Sequence, residues 1–197
     1  MVLADVAQKV TGIDLSEKMI IEANKCRKTN IEYVVGDAER LHECVDTQFD
    51  AVLYNASIFL LPVLVKSLEC ARALLQPHGV CGASYPISLY DQGTDLLDEA
   101  RKSGLACDGS VNKEQNIKEA FGSVFPGYNE KRAEIHIDIH QAEAFFLIPA
   151  QSASIFPRRP YEERIRLVRT LFSAIAPKHP QVTMVWGLIK SGVVAGH

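Results

Sequence analysis

Hydrophobic positions along the chain follow two rhythms. Short apolar runs bounded by polar or turn residues occur at Val10–Asp14 ("VTGID"), Ile31–Val35 ("IEYVV"), Phe49–Tyr54 ("FDAVLY") and Gly79–Tyr85. Their length and their β-branched and aromatic content predict strands. Between them the spacing turns helical. Ser16 is a suitable N-cap, because its hydroxyl can accept from a free backbone N–H, and Glu17 suits the positive helix start, so a helix is expected from Ser16 to about Arg27. Leu61, Leu64, Val65, Leu68 and Leu75 mark one face of a second helix, with Pro62 tolerated in its first turn and Gly79 placed to take a left-handed turn after "QPH". Strands alternating with helices predict an α/β domain: a Rossmann-like, mostly parallel sheet with flanking helices.

The second half changes this order. Helices are expected over Asp91–Ser103 and Asn112–Phe125, and "EIHIDIH", Glu134–His140, alternates as a half-buried strand does. A helix and a proline-marked loop follow, then an amphipathic helix over Pro160–Ile175 and a last strand over Val182–Lys190. The expected organisation is one domain. Residues 1–133 form its core, 134–140 and 180–190 its antiparallel last strands, and 141–179 a helical cap inserted on the substrate side.

Composition narrows the class. The chain has 197 residues, 47% hydrophobic and 23% charged, enough to bury a core without disulfides or metals. No apolar run reaches the ~18–20 residues of a membrane span, and no basic segment followed by an apolar one marks a secretory leader. Cys26, Cys44, Cys70, Cys81 and Cys107 are an odd number without CxxC spacing, which points to reduced thiols in the cytoplasm. The net charge of −3 argues against a general nucleic-acid binder. It is uneven: −8 over residues 1–150 and +5 over 151–197, the basic excess lying mainly in "PRRPYEERIRLVR". Such a stretch is either a solvated helix face or a basic rim for an anion.

Candidate chemistry gathers where three strands end, since ligands of open α/β sheets bind beyond the carboxyl ends of the strands. Asp14 ends the first strand, Gly36-Asp37-Ala38 follow the second, and Asn55-Ala56-Ser57 follow the third. The succession "VTGIDLSEKM…IEYVVGDAERL…FDAVLYNASIFLL…ARALLQPHGVCGAS" resembles the class I S-adenosylmethionine-dependent methyltransferases, especially their broad small-molecule group of type 11. The resemblance covers roughly residues 4–86 in four ordered segments. It implies that Asp14 holds the ribose hydroxyls, Leu15 and Met19 pack on the adenine, Asp37 and Ala38 meet the adenine edge, and Asn55 lies near the methionine part. It implies S-adenosylmethionine as cofactor and a small molecule as methyl acceptor, with no nucleic acid and no membrane. No catalytic residue can be named, because the cofactor arrives already activated.

The chain departs from that family at one place. The family's first strand and its acidic glycine-rich loop, D/E-x-G-x-G-x-G, normally precede the ribose-binding acid, and "MVLADVAQK" ahead of Val10 holds neither. In the family's strand order that strand lies between those expected at Val10–Asp14 and Phe49–Tyr54. Three accounts follow: a fragment of a longer methyltransferase, a degenerate domain whose two strands close on each other, or a gap filled by a partner. The corresponding non-catalytic expectation is a remnant that self-associates through exposed strand edges. Two rival site readings are weaker. A nicotinamide-dependent reductase needs a Tyr-x-x-x-Lys pair on a helix, and Tyr128 and Lys131 are one residue too close. His136, Asp138 and His140 would share one face of a strand, with the histidines roughly 13–14 Å apart, too far to hold one metal ion.

Overall fold

The computed structural model describes residues 3–26, 28–105 and 113–192. Cys107 and the expected helix ends at Arg27 and Asn112 lie outside them. The chain opens with a short helix α1 (Leu3–Val6), strand β1 (Val10–Asp14), helix α2 (Glu17–Lys25) and strand β2 (Ile31–Val35). Ser16 caps α2 as expected, its hydroxyl accepting from the Met19 amide at 3.4 Å. Helix α3 (Leu41–Cys44), strand β3 (Phe49–Asn55), a 3₁₀ turn (Ile58–Leu60) and helix α4 (Leu64–Ala73) lead into strand β4 (Leu75–Asp91). Strand β5 (Thr94–Asp95) and helix α5 (Leu96–Lys102) follow, then α6 (Lys113–Val124), strand β6 (Asn129–Asp138), helices α7 (Ile139–Phe146), α8 (Pro149–Ile155) and α9 (Tyr161–Ile175), and strand β7 (Gln181–Lys190).

The strands form two sheets. β1 and β2 pair in parallel on their own, and the other sheet runs β3-β4-β7-β6 with β5 beside β4. β3–β4 is parallel, and β7 is antiparallel to both β4 and β6. The expected mixed fold is therefore present, with antiparallel last strands. The expectation that the first and third strands might close on each other is not met, since β1 and β3 share no ladder.

Several boundaries correct the sequence reading. β4 reaches Asp91, well past Tyr85, because it continues as the antiparallel partner of β7, with a register shift at Pro86–Ser88 where proline cannot donate. Asp91 thus belongs to a strand, and helix α5 begins only at Leu96, capped by Asp95, whose Oδ1 accepts from the Leu97 and Asp98 amides. α4 starts at Leu64, after Pro62 rather than through it. The left-handed residue of "QPHG" is His78 (φ 71°). Gly79 serves close packing instead, since a Cβ there would stand 2.9 Å from the Gln76 carbonyl and 3.1 Å from that of Phe49. β6 ends at Asp138, so "HIDIH" is split between a strand and a helix. The single helix expected after it is two, α7 and α8.

Two cores sandwich the larger sheet. Along a strand, side chains alternate between faces. Tyr54, Cys81, Ala83, Tyr85 and Ile189 point to one face, against Leu68 and Ala71 of α4 and Ile117, Phe121 and Val124 of α6. Gly187 makes this possible, because a Cβ there would stand 2.4 Å from the Tyr85 ring. On the other face Leu89, Val182 and Met184 meet α5 and helices α7–α9 through Ala142, Phe146, Val168, Leu171 and Phe172. Phe146 and Phe156 are fully enclosed there, and Phe145 packs edge-on against Trp186 at 5.7 Å.

Candidate functional site

The site is positioned by a strap between the two sheets. Ser67 of α4 is fully buried, and its hydroxyl donates to the Ala38 carbonyl at 2.6 Å. The Tyr54 hydroxyl of β3 donates to the Ser67 carbonyl at 3.0 Å, and burial pushes that phenol's pKa upward. Glu39 completes the strap: its Oε1 accepts from the Val63 amide at 2.7 Å, and its carbonyl accepts from the Cys70 thiol at 3.5 Å. The loop after β2 is therefore fastened to the segment after β3. Since the Gly36 amide also donates to the Asp14 carbonyl at 3.0 Å, the carboxyl ends of β1, β2 and β3 lie on one side.

Asp14 ends β1 in solvent. Its Oδ1 accepts from the Ser16 amide at 2.8 Å, which fixes the carboxylate at the mouth of α2, while Oδ2 has no partner among the described residues. Leu15 and Met19 beside it are 73% and 57% exposed, so two large apolar side chains flank the carboxylate with most of their surface open. Asp37 begins the loop after β2. Its Oδ1 accepts from the Glu39 amide at 2.9 Å and its Oδ2 from Arg40 Nε at 3.3 Å. The Glu39 amide, and then Arg40, hold its carboxyl below the usual carboxylate range. Asn55 ends β3, with its Oδ1 accepting from Ser84 Oγ at 3.0 Å. The Ala56 amide donates to both the carbonyl (3.0 Å) and the hydroxyl (3.1 Å) of Ser84, which holds Ala56 at φ 51°. A methyl-bearing residue in that region is uncommon, and the two bonds to Ser84 offset the strain. Ser84 and the strap residues Ser67 and Glu39 had no sequence signal, because each acts through a fold contact more than twenty residues distant.

The rival sites fail on geometry. Asp138 accepts from the His140 and Gln141 amides at 2.9 Å each and forms a capping box with Gln141, so it is a helix cap. His136 instead pairs with Thr183 at 3.0 Å, and no group of three metal-ligating side chains stands together among the described residues. Lys131 lies in strand β6, not on the helix a reductase would need. An open depression lined by Gln8, Lys9, Asn30 and Glu32 sits at the amino ends of β1 and β2, opposite the strand ends just described.

Residues 1–83 match the sequence profile of the family described as "Methyltransferase domain". That segment contains the Asp14, Asp37 and Asn55 strand ends. The match spans less than half of the chain and marks residues 1–83 as similar to that family. The fold of the whole chain agrees. A protein of Bacillus halodurans assigned as a methyltransferase is 12% identical with a TM-score of 0.58, the match covering 98% of this chain and 86% of that one. The phosphoethanolamine N-methyltransferase 2 of Haemonchus contortus, in complex with phosphomonomethylethanolamine and S-adenosylhomocysteine, is 14% identical at TM-score 0.52, over 98% of this chain and 45% of that one. The [4+2]-cyclase SpnF is 16% identical at TM-score 0.60, over 99% and 69%. At these identities the likeness concerns the fold, and a cyclase among the neighbours shows that the fold does not fix the reaction. No curated protein matches the sequence. The cofactor of the methyltransferase domain family is S-adenosylmethionine. Among the described residues no helix is long and apolar enough to cross a membrane.

Proposed function

We propose that this chain transfers the methyl group of S-adenosylmethionine to a small-molecule acceptor. The observation that carries the reading is the grouping at the end of β1: a carboxylate with one oxygen committed to Ser16 and the other without a partner among the described residues, between exposed Leu15 and Met19. A nucleoside suits that arrangement. Asp14 Oδ2 accepts from the ribose hydroxyls, Leu15 and Met19 cover the adenine faces, and Asp37 with the Ala38 backbone meets the adenine edge. Asn55 and the exposed turn at Ala56 border the methionine part. The cofactor supplies a sulfonium whose methyl is already activated for displacement. Bound there, it would supply the methyl group together with its own leaving group. The protein's task is alignment and exclusion of water. A base is needed only for an acceptor carrying a proton of high pKa, so no side chain is assigned that role. Helices α7–α9 over the far half of β4 and β7 form the substrate-side cap in this reading, and their apolar core keeps that wall rigid.

The test is an NMR titration with S-adenosylhomocysteine. Methyl signals of Leu15 and Met19 and amide signals of Asp37 and Ala38 are expected to move together, while those of Lys9 and Glu32 at the opposite end stay still. Movement confined to the opposite end would reject the site. A second, non-catalytic reading, a module that associates through its strand edges, is favoured by the edges of β1 and β3 that pair with no other strand among the described residues.

A further inference from the structure

Asn55 and Ser84 stand opposite each other in the parallel β3–β4 ladder. Their neighbours Tyr54, Ala83 and Tyr85 turn to the core shared with α4 and α6, so both polar side chains leave the sheet on its other face. Ser84 Oγ is used twice. It accepts from the Ala56 amide at 3.1 Å and donates to Asn55 Oδ1 at 3.0 Å. A hydroxyl has one proton to give, and Ser84 gives it to Asn55 while accepting from Ala56. The bonds therefore run one way, from Ala56 N–H through the Ser84 hydroxyl to Asn55 Oδ1, and each polarises the next. With Oδ1 turned to β4, the outward end of the exposed Asn55 carboxamide is Nδ2, which offers two N–H donors and no acceptor. Nδ2 has no partner among the described residues.

We propose that Ser84 is a positioning residue that makes Asn55 a hydrogen-bond donor, and that the group Asn55 recognises is a carboxylate. The proposal rests on the nucleoside site at Asp14 and assigns the carboxylate to the amino-acid end of the cofactor. An unrestrained asparagine turns either its N–H groups or its carbonyl towards a ligand, so it receives a carboxylate or an ammonium equally well. The amino-acid end carries both groups. Fixing the carboxamide decides between them. Nδ2 bonds to an acceptor, the bond is charge-assisted when that acceptor is a carboxylate, and the ammonium, which has only donors, finds no partner there. The backbone is held separately, since the Ala56 amide also donates to the Ser84 carbonyl at 3.0 Å. Removing the Ser84 hydroxyl keeps that bond, so the strand end stays in register while the carboxamide is released.

Two readouts test this, the first without any ligand. Heteronuclear NMR relaxation of the Asn55 side-chain amide should show it ordered in the free protein, mobile in Ser84→Ala, and ordered again in Ser84→Thr, which keeps the hydroxyl. Calorimetry then compares S-adenosylhomocysteine with its decarboxylated analogue, which keeps the nucleoside, thioether and ammonium and lacks only the carboxylate. The wild-type protein should bind the analogue about tenfold more weakly. Ser84→Ala, and Asn55→Asp with an acceptor where the donor stood, should each shrink that preference to about twofold or less. Ser84→Thr should keep it. A carboxamide equally mobile in the wild type and in Ser84→Ala overturns the proposal. So does a wild-type protein that binds both ligands alike, which means that the carboxylate is not read. A Ser84→Ala variant that loses affinity for both ligands in equal proportion assigns the serine a structural role alone. Binding of neither ligand by the wild type strikes the nucleoside site itself, and the carboxylate assignment falls with it.

Discussion

Ser67 and Asp14 show how much a single side chain decides in this molecule. Ser67 carries no local signal in the sequence, yet it is enclosed and joins a loop carbonyl beside one sheet to a tyrosine of the other. Replacing it with alanine leaves the Ala38 carbonyl without its donor. Ser67→Ala is expected to lower unfolding free energy by about 1–3 kcal/mol in a urea titration. A cost below ~0.5 kcal/mol would show that the strap is not what holds the sheets together. Asp14, by contrast, was legible. A strand ending in an acid before a serine N-cap announces itself locally, and the structure adds only which oxygen is already in use. Asp37 lies between these cases. Its position could be read, but the Glu39 amide and Arg40 that pin its carboxylate could not, because loop geometry sets them.

At the scale of elements, period and caps carried most of the information. β1, β2, α2 and β7 fall within a residue or two of their expected bounds, because each is a short run with clear local signals. The failures have one physical source, tertiary pairing that sequence rhythm does not report. β4 runs on to Asp91 because β7 offers it a second partner, and "HIDIH" breaks because Asp138 caps a helix. That second point can be checked. Asp138→Ala removes two hydrogen bonds to the first turn of α7 and should cost about 1 kcal/mol by thermal or urea unfolding. If the triplet were a metal site after all, the variant would instead lose zinc-dependent stabilisation of the wild-type protein. The account expects zinc to leave wild-type stability unchanged.

Over the whole molecule, the described strands form two sheets, β1-β2 and β3-β4-β7-β6 with β5 beside β4. The carboxyl ends of β1, β2 and β3, where the proposed nucleoside site lies, are aligned by the strap rather than by continuous strand pairing. Helices α7–α9 form a core of their own against the far half of β4 and β7. This arrangement lets each core assemble on its own set of helices.

Calorimetric titration of the 197-residue protein with S-adenosylmethionine and S-adenosylhomocysteine addresses the central claim most directly. Saturable binding between micromolar and about 1 mM is expected, weakened at least tenfold by Asp14→Ala. No heat from a folded, monodisperse sample, or binding that Asp14→Ala leaves unchanged, would contradict the account.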